Sequence, residues 1–313
     1  MDSVAAQSFT DWEHLIIDDG SSEGTAEMAA ARSASDPRVR YFRREGEPRG
    51  ANVCRNLGVR EARGQYVVFL DSDDVLEAEC LERRVAVMDR NADLAFATFC
   101  SAAFVNARGD VEGGGYSRDL QGDDLLRFLY FEIPWIITSP IWRKDALADL
   151  GGFDEALPSW QDLDLHVRAI TSGLRYLRFP EIDNLVRWQF EETKVSVEQK
   201  RSPRHLEAAQ GLLGKFERLI REGPGMNWLR QRALGGLYFF VAEYWVYAGH
   251  RANALSVWRE SRRRGLIPWG VHATGAGLLT LLSLGGPATA AAKRMIHKWR
   301  GWTRLRTNPE LVQ

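Results

Sequence analysis

The chain has little cysteine: Cys54, Cys80 and Cys100 are the only three in 313 residues, and none forms a CxxC pair. So sparse and odd a set argues against a disulfide framework or a zinc site, and it points to a reducing compartment. The opening residues, MDSVAAQSFTDWE, lack the apolar core of a secretory signal. Residues 266–292 carry no charge beyond what His272 can acquire, yet Pro268, Pro287 and several glycines interrupt them. A spanning helix wants about 20 predominantly apolar residues, so this stretch reads as an interfacial or partner-packing segment. Acidic residues are absent from 261–309, which hold Arg262, Arg263, Arg264, Lys293, Arg294, Lys298, Arg300, Arg304 and Arg306. The tail is therefore basic and the body acidic, although the net charge is only −1. That polarity suggests an anionic surface as partner. Trp299 and Trp302 among the basic residues fit a membrane surface, ahead of nucleic acid.

What is present is an ordinary folded composition, 45% hydrophobic and 27% charged. The length suits one large α/β domain plus an appendage, or two domains. Its most telling stretch is GQYVVFLDSDDVL, residues 64–76. The run from Tyr66 to Leu70 reads as a buried strand that stops at Asp71-Ser72-Asp73-Asp74. Carboxylates crowded at a buried strand end need a compensating cation, or else they neutralise. A hard divalent metal with oxygen ligands and a phosphate meets that need. A turn with a helix N-cap would use the same residue types. So would the Asp-x-Asp of haloacid-dehalogenase-type phosphatases, with Asp71 as nucleophile.

Along the chain, a short apolar run at 14–17 ends in Asp18-Asp19-Gly20 and reads as strand then loop. Residues 25–35 are Ala-rich and helical, and 39–42 form a strand. Residues 52–63 form a helix closed by Gly64. With the strand at 66–70, this alternation implies a parallel sheet flanked by helices. Ligands sit at the carboxyl ends of such strands, so both acidic loops should face one crevice. Further on, 76–91 reads as helix, 92–99 as strand, 104–117 as a hairpin, 123–131 as helix and 134–142 as strand. Residues 161–172 read as helix, and 176–179 and 183–190 as two strands. Beyond residue 200 three helices are expected, at 206–222, 228–248 and 251–264. The last pair resembles a single tetratricopeptide-type hairpin.

Three stretches in order carry a broader resemblance: DWEHLIIDDGSSEGT (11–25), RGANVCRNLGVREARGQYVVFLDSDDVL (49–76) and GGFDEALPSWQDLDLHVRA (151–169). Together they resemble glycosyltransferase family 2, inverting enzymes of the GT-A fold, over about residues 5–200. The resemblance implies an α/β fold, a mostly parallel Rossmann-like sheet flanked by helices, with a helical C-terminal region. It divides the chain into 1–200 and 201–313. It demotes the phosphatase, for which no downstream lysine and acidic pair is evident. It implies a nucleotide-diphosphate sugar, UDP-linked, as donor, and a glycan or lipid-linked hydroxyl as acceptor. Asp18 and Asp19 would contact base and ribose. Arg55 would lie near the nucleotide. Asp73 would bind Mg²⁺ or Mn²⁺, and Asp71 would hold ribose or a metal-bound water. Asp162 would be the general base, and Arg187, next to Trp188, would clamp the diphosphate. Asp164 should point away from Asp162, because a two-residue offset on a helix separates the faces. Trp160 would line the acceptor site or the core, and Asp74 would cap the next helix.

One departure matters. Members of this family begin with an apolar strand and loop before the first helix, whereas this chain opens at what resembles that helix's end. A sheet without that strand would leave backbone groups unpaired, and weak or no activity is expected. Two function classes therefore stand: a cytoplasmic, peripherally membrane-bound transferase, and an inactive nucleotide-sugar-binding protein.

Overall fold

The computed structural model describes residues 1–22, 24–104, 121–187 and 201–303. Helix α1 (Asp2–Ala5) is followed by β1 (His14–Asp18), α2 (Thr25–Ser35), β2 (Val39–Arg43), α3 (Ala51–Glu61) and β3 (Tyr66–Val68). Then come β4 (Val75–Leu76), α4 (Cys80–Arg90), β5 (Phe96–Phe104), α5 (Asp124–Leu129), β6 (Pro140–Arg143) and α6 (Lys144–Asp149). Helix α7 (Gln161–Thr171) and strand β7 (Tyr176–Arg187) complete the α/β part. Five helices follow: α8 (Pro203–Glu222), α9 (Trp228–Tyr247), α10 (Arg251–Arg263), α11 (Trp269–Leu282) and α12 (Gly286–Thr303).

The α/β class holds, and the sheet is mixed. Strand β1 pairs with β2 in parallel, as does β5 with β7, whereas β3–β6, β5–β6 and β4–β7 are antiparallel. The strands form two sheets, β1-β2 and β3-β6-β5-β7-β4. The sequence expects β1 and β3 to share a sheet, but they do not pair. Their N-terminal ends are tied instead by a side chain, Glu13, which accepts from the N–H groups of Arg63 and Gly64. Leu15, Ile16, Ile17, Val67 and Val68 remain only half-buried. Unlike a strand hydrogen-bonded on both sides, β1 and β3 each keep one edge without sheet partners among the described residues.

Several boundaries differ from expectation for local reasons. Helix α3 stops at Glu61, where Ala62 turns extended, so Gly64 is not its cap. The expected helix at 76–91 gives up its first turn because Val75 and Leu76 pair with Leu185 and Asn184 of β7. Helix α4 then starts at Cys80 behind Glu79, so Asp74 caps nothing. The two strands expected at 176–190 are one, β7. The register against β5 jumps from Phe99–Phe179 to Cys100–Ile182. Pro180, which has no N–H to give the ladder, falls in that jump. Of the expected strand at 134–142, only Pro140–Arg143 pairs, with Phe131 and Ile133 at positive φ before it. The expected hairpin at 104–117 and the end of the last expected strand lie outside the described residues.

One cluster of buried apolar side chains runs from Val59, Phe69 and Trp142 through α7 into α8–α11. It is continuous across residue 200, so the helices close one face of the α/β part. No helix among the described residues is long and apolar enough to cross a membrane. The 266–292 segment resolves into α11, part of α12 and the turn between them.

Candidate functional site

The first acidic loop is a built turn. Asp18, buried at the end of β1, accepts from Ser21 N–H at 2.7 Å and from the Tyr41 hydroxyl at 2.8 Å. The Ser21 N–H, opposed by burial, holds its carboxyl below the usual carboxylate range. Asp19 accepts from Gly50 N–H at 2.7 Å and pairs with Arg44. Gly50 stands just before α3 at φ 130°, a conformation that only glycine adopts freely. Both carboxylates therefore fasten the loop, Asp18 to β2 and Asp19 to the start of α3.

Two carboxylates of the second acidic loop have partners within the chain. Arg55 of α3 donates to Asp71 at 2.7 Å. Asp74 accepts from the Thr138 hydroxyl at 2.8 Å. Asp73 is exposed, so its carboxylate is left to water. Within the chain these carboxylates meet the Arg55 guanidinium, the Thr138 hydroxyl and solvent. Among the described residues no group of three or more His, Cys, Asp or Glu is placed to hold a metal. Asp73 remains as one hard oxygen donor at the rim of the crevice.

Below this loop lies a fully buried ion pair. Arg84 donates to both oxygens of Asp183 at 2.7 Å and to the Thr138 carbonyl at 2.9 Å. The pair links α4 and β7 to the segment whose Thr138 holds Asp74.

Asp162 lies one residue into α7, and its carboxyl accepts from the Leu163 N–H at 2.9 Å. Burial raises its pKa, while the nearby Arg55 guanidinium pulls it back and Asp71 pushes it up further. The charges of Arg55 and Asp71 thus both act on Asp162. Nη1 of Arg55 is buried without a partner, and its guanidinium carbon stands 5.4 Å from the centre of the Phe153 ring. This buried donor could meet an anion or a water.

Asp164 lies on the other side of α7, as the helical offset requires. It is fully buried and paired with Arg168 at 2.8 Å and Lys215 at 2.7 Å. Trp160 adopts φ 61° before the helix and packs its ring on Phe131 and Phe240. At 7% exposed it belongs to the core. His166, one turn beyond Asp162, is pushed down to about 3 by burial and stays neutral against Phe128, Trp135 and Trp142. It is no rival base. Arg187 ends β7 opposite Phe104. Its clamping role concerns a side chain outside the described residues, as does Trp188.

Sequence reasoning missed the groups that hold these residues in place. Asn52 donates to the carbonyls of Asp154 and Leu157 at 2.8 and 3.0 Å. Asn56 donates to the Phe153 carbonyl at 2.9 Å and accepts from the Phe153 N–H at 2.8 Å. The two asparagines are four apart on α3, a spacing that puts both on one face and was legible as a signal. Tyr41, Arg44, Thr138 and Lys215 carried no such signal, because they come from distant segments.

A family model described as Glycosyl transferase family 2 matches residues 1–111. The chondroitin synthase of Escherichia coli is 26% identical over 174 residues, 55% of this chain and 24% of that protein. The matched stretch covers only 15% and 14% of two other curated relatives. Among solved structures, S. aureus TarS 1-349 in complex with UDP-GlcNAc superposes with a TM-score of 0.63 at 17% identity. That likeness covers 89% of this chain and 84% of the other. The mannosyltransferase PcManGT from Pyrobaculum calidifontis in complex with GDP-Man and Mn²⁺ superposes with a TM-score of 0.53 at 18% identity, covering 97% and 81%. At such identities the structural likeness speaks for the GT-A fold.

Proposed function

We propose, from the membership of residues 1–111 in glycosyltransferase family 2, that this chain transfers a sugar with inversion from a nucleotide diphosphate to an acceptor hydroxyl. The Arg55–Asp71 ion pair, with Asp162 in the first turn of α7 feeling both charges and Phe153 of the preceding loop beside the Arg55 guanidinium, supports the reading. Asp162 takes the proton from the acceptor hydroxyl. The oxygen attacks the anomeric carbon, and the nucleotide diphosphate departs from the opposite face. The unpartnered Nη1 of Arg55 receives an oxygen of the diphosphate, a charge-assisted contact in a partly buried place. A divalent ion, Mg²⁺ or Mn²⁺, would be held by Asp73 with the diphosphate and would neutralise the leaving group. Asp18 and Asp19 shape the loop that meets the base and ribose, and Arg187 completes the diphosphate contacts.

The donor is UDP-linked and the acceptor is a glycan or lipid-linked hydroxyl in polysaccharide synthesis. Residues 1–200 carry the chemistry and 201–313 brace it. The basic tail meets the inner face of the cell membrane. Exposed Trp269, Leu284 and Met295, on the same pair of helices and their turn as exposed Lys293 and Arg294, support that contact. The Arg55–Asp71 ion pair weighs against the phosphatase, which needs Asp71 free as a nucleophile.

A second reading is favoured by the separation of β1 from β3. The two loops that would grip donor and metal follow strands that do not pair with each other. On this reading the chain binds a nucleotide sugar without turning it over. Calorimetry of UDP with and without Mn²⁺, on this chain and on Asp73→Ala, tests the site. Metal-dependent binding lost in the variant supports it. Absence of binding under every condition refutes it. Turnover of a UDP-sugar then separates transferase from binding protein.

A further inference from the structure

Lys215 comes from α8, in the helical region, yet its ammonium ends among the residues that frame the candidate base. Its Nζ lies 2.7 Å from Asp164 Oδ1 and 3.4 Å from Asp154 Oδ2. The Asp164 contact is a close ion pair off the hydrogen-bond direction, so charge rather than alignment holds it. Asp164 and Asp154 stand at opposite ends of the loop that delivers Asp162. Arg168 adds a second fastening: besides pairing with Asp164, it donates to the carbonyls of Leu150 and Gly152 at 2.8 and 2.6 Å. The α3 asparagines hold the same loop from the nucleotide side. The loop closes at Trp160, whose positive φ is a strained conformation for a non-glycine residue and persists only when its surroundings enforce it.

Asp164 has no exposed side-chain surface, so its charge must be met by protein. Arg168 meets part of it from within α7. Lys215 meets the rest and is the one partner of Asp164 contributed by the helical region. Because that ammonium also faces Asp154, it draws the start of the loop toward the helix that carries Asp162.

We propose that Lys215 is a positioning residue, an ionic tether through which the C-terminal helices hold the 152–162 loop and thereby aim Asp162. The inference rests on the reading of Asp162 as the base. A misplacement of about 1 Å at a reacting group can cost a hundredfold in rate, so the tether acts on turnover more than on donor binding. Arg55, Asp71 and the acidic loops keep their contacts without it.

The test compares Lys215→Met, Lys215→Arg and Asp162→Asn on the full chain by three measurements: amide hydrogen exchange, UDP affinity and turnover. In Lys215→Met, amides of 153–162 should exchange at least about tenfold faster while those of β5 and β6 stay unchanged. On the scale above, turnover should fall about tenfold or more and UDP affinity should stay within about twofold. Lys215→Arg should restore both the exchange and the rate. Unchanged exchange at 153–162 overturns the proposal, as does acceleration spread evenly over the sheet, which marks general loss of stability. If Lys215→Met fails to fold, Lys215→Gln is read by the same measurements. The base reading fails separately: Asp162→Asn that keeps full turnover removes Asp162 as base, and with it the catalytic part of the tether.

Discussion

The acidic crevice and the helical region are built from opposite materials. In the helices, Phe216, Phe239, Trp245 and Trp258 are fully buried, and several charged and hydroxyl groups that go inside are paired, although the Trp245 Nε1 is not. Glu217 takes Arg221 and Arg264, and Ser261 donates to the Trp258 carbonyl. Around the crevice, apolar residues of β1 and β3 stay half-buried, Asp73 faces water, and Arg55 keeps a buried nitrogen without a partner. The unpartnered nitrogen of Arg55 and the exposed Asp73 fall within the residues that match the family model. The two regions meet at Lys215, where a helix beyond residue 200 supplies one charge to Asp164 and Asp154.

The sharpest way to break this comparison is at Asp162. Asp162→Asn should lower turnover by about 10²- to 10⁴-fold, the usual contribution of a general base. In the native chain, burial raises this carboxyl above the ordinary aspartate value, and only its ionised form can accept a proton. The acid limb of kcat/KM should therefore lie above an ordinary aspartate, with activity lost as pH falls through it. A limb at the ordinary value in a pH–rate profile would contradict this.

Arg84→Met probes the buried support beneath the crevice. It leaves the buried Asp183 without its cation and with only the Asn184 amide donating to it at 2.9 Å, a loss of about 3–5 kcal/mol in stability. The urea midpoint checks it, and a shift under about 1 kcal/mol would show that Asp183 finds another partner.

The smallest effect is expected in the helices. A methyl group at Gly275 would sit 2.5–2.7 Å from atoms of the Trp258 ring. That ring cannot yield easily, because its Nε1 donates to the His272 carbonyl at 2.8 Å. Gly275→Ala should cost about 1–3 kcal/mol by overpacking. Gly236→Ala, with nothing within 4 Å of the added methyl, should cost nothing and gain helix propensity. Equal urea midpoints for the two variants would show that the helical packing is looser than the structure has it.

The legible parts of this protein were local. The Ala-rich run at 25–35, the start of the helix at Gln161 and the three long C-terminal helices follow from periodicity and short-range signals, and they fall where expected to within a few residues. Where sequence reasoning slipped, a distant segment had intervened. Val75 and Leu76 became strand because β7 was there to pair with them. Pro180 left one strand intact because β5 absorbed it in a register jump. At the site, residue types marked Asp71, Asp73 and Asp162. The long-range partners Arg55 of Asp71, Thr138 of Asp74 and Lys215 of Asp164 lie 16 residues or more away in sequence and were not predictable as pairs.

The sequence by itself determined the resemblance of residues 1–111 to glycosyltransferase family 2, the α/β class, the acidic loops at strand ends and the basic polarity of the tail, because these rest on short motifs and composition. The tertiary structure alone decided which partners meet the carboxylates, that β1 and β3 lie in separate sheets, and that a helix beyond residue 200 reaches Asp164. The physical reason is range. Propensity and capping act within a turn or two of chain, whereas charge compensation, strand pairing and close packing depend on what the fold brings alongside.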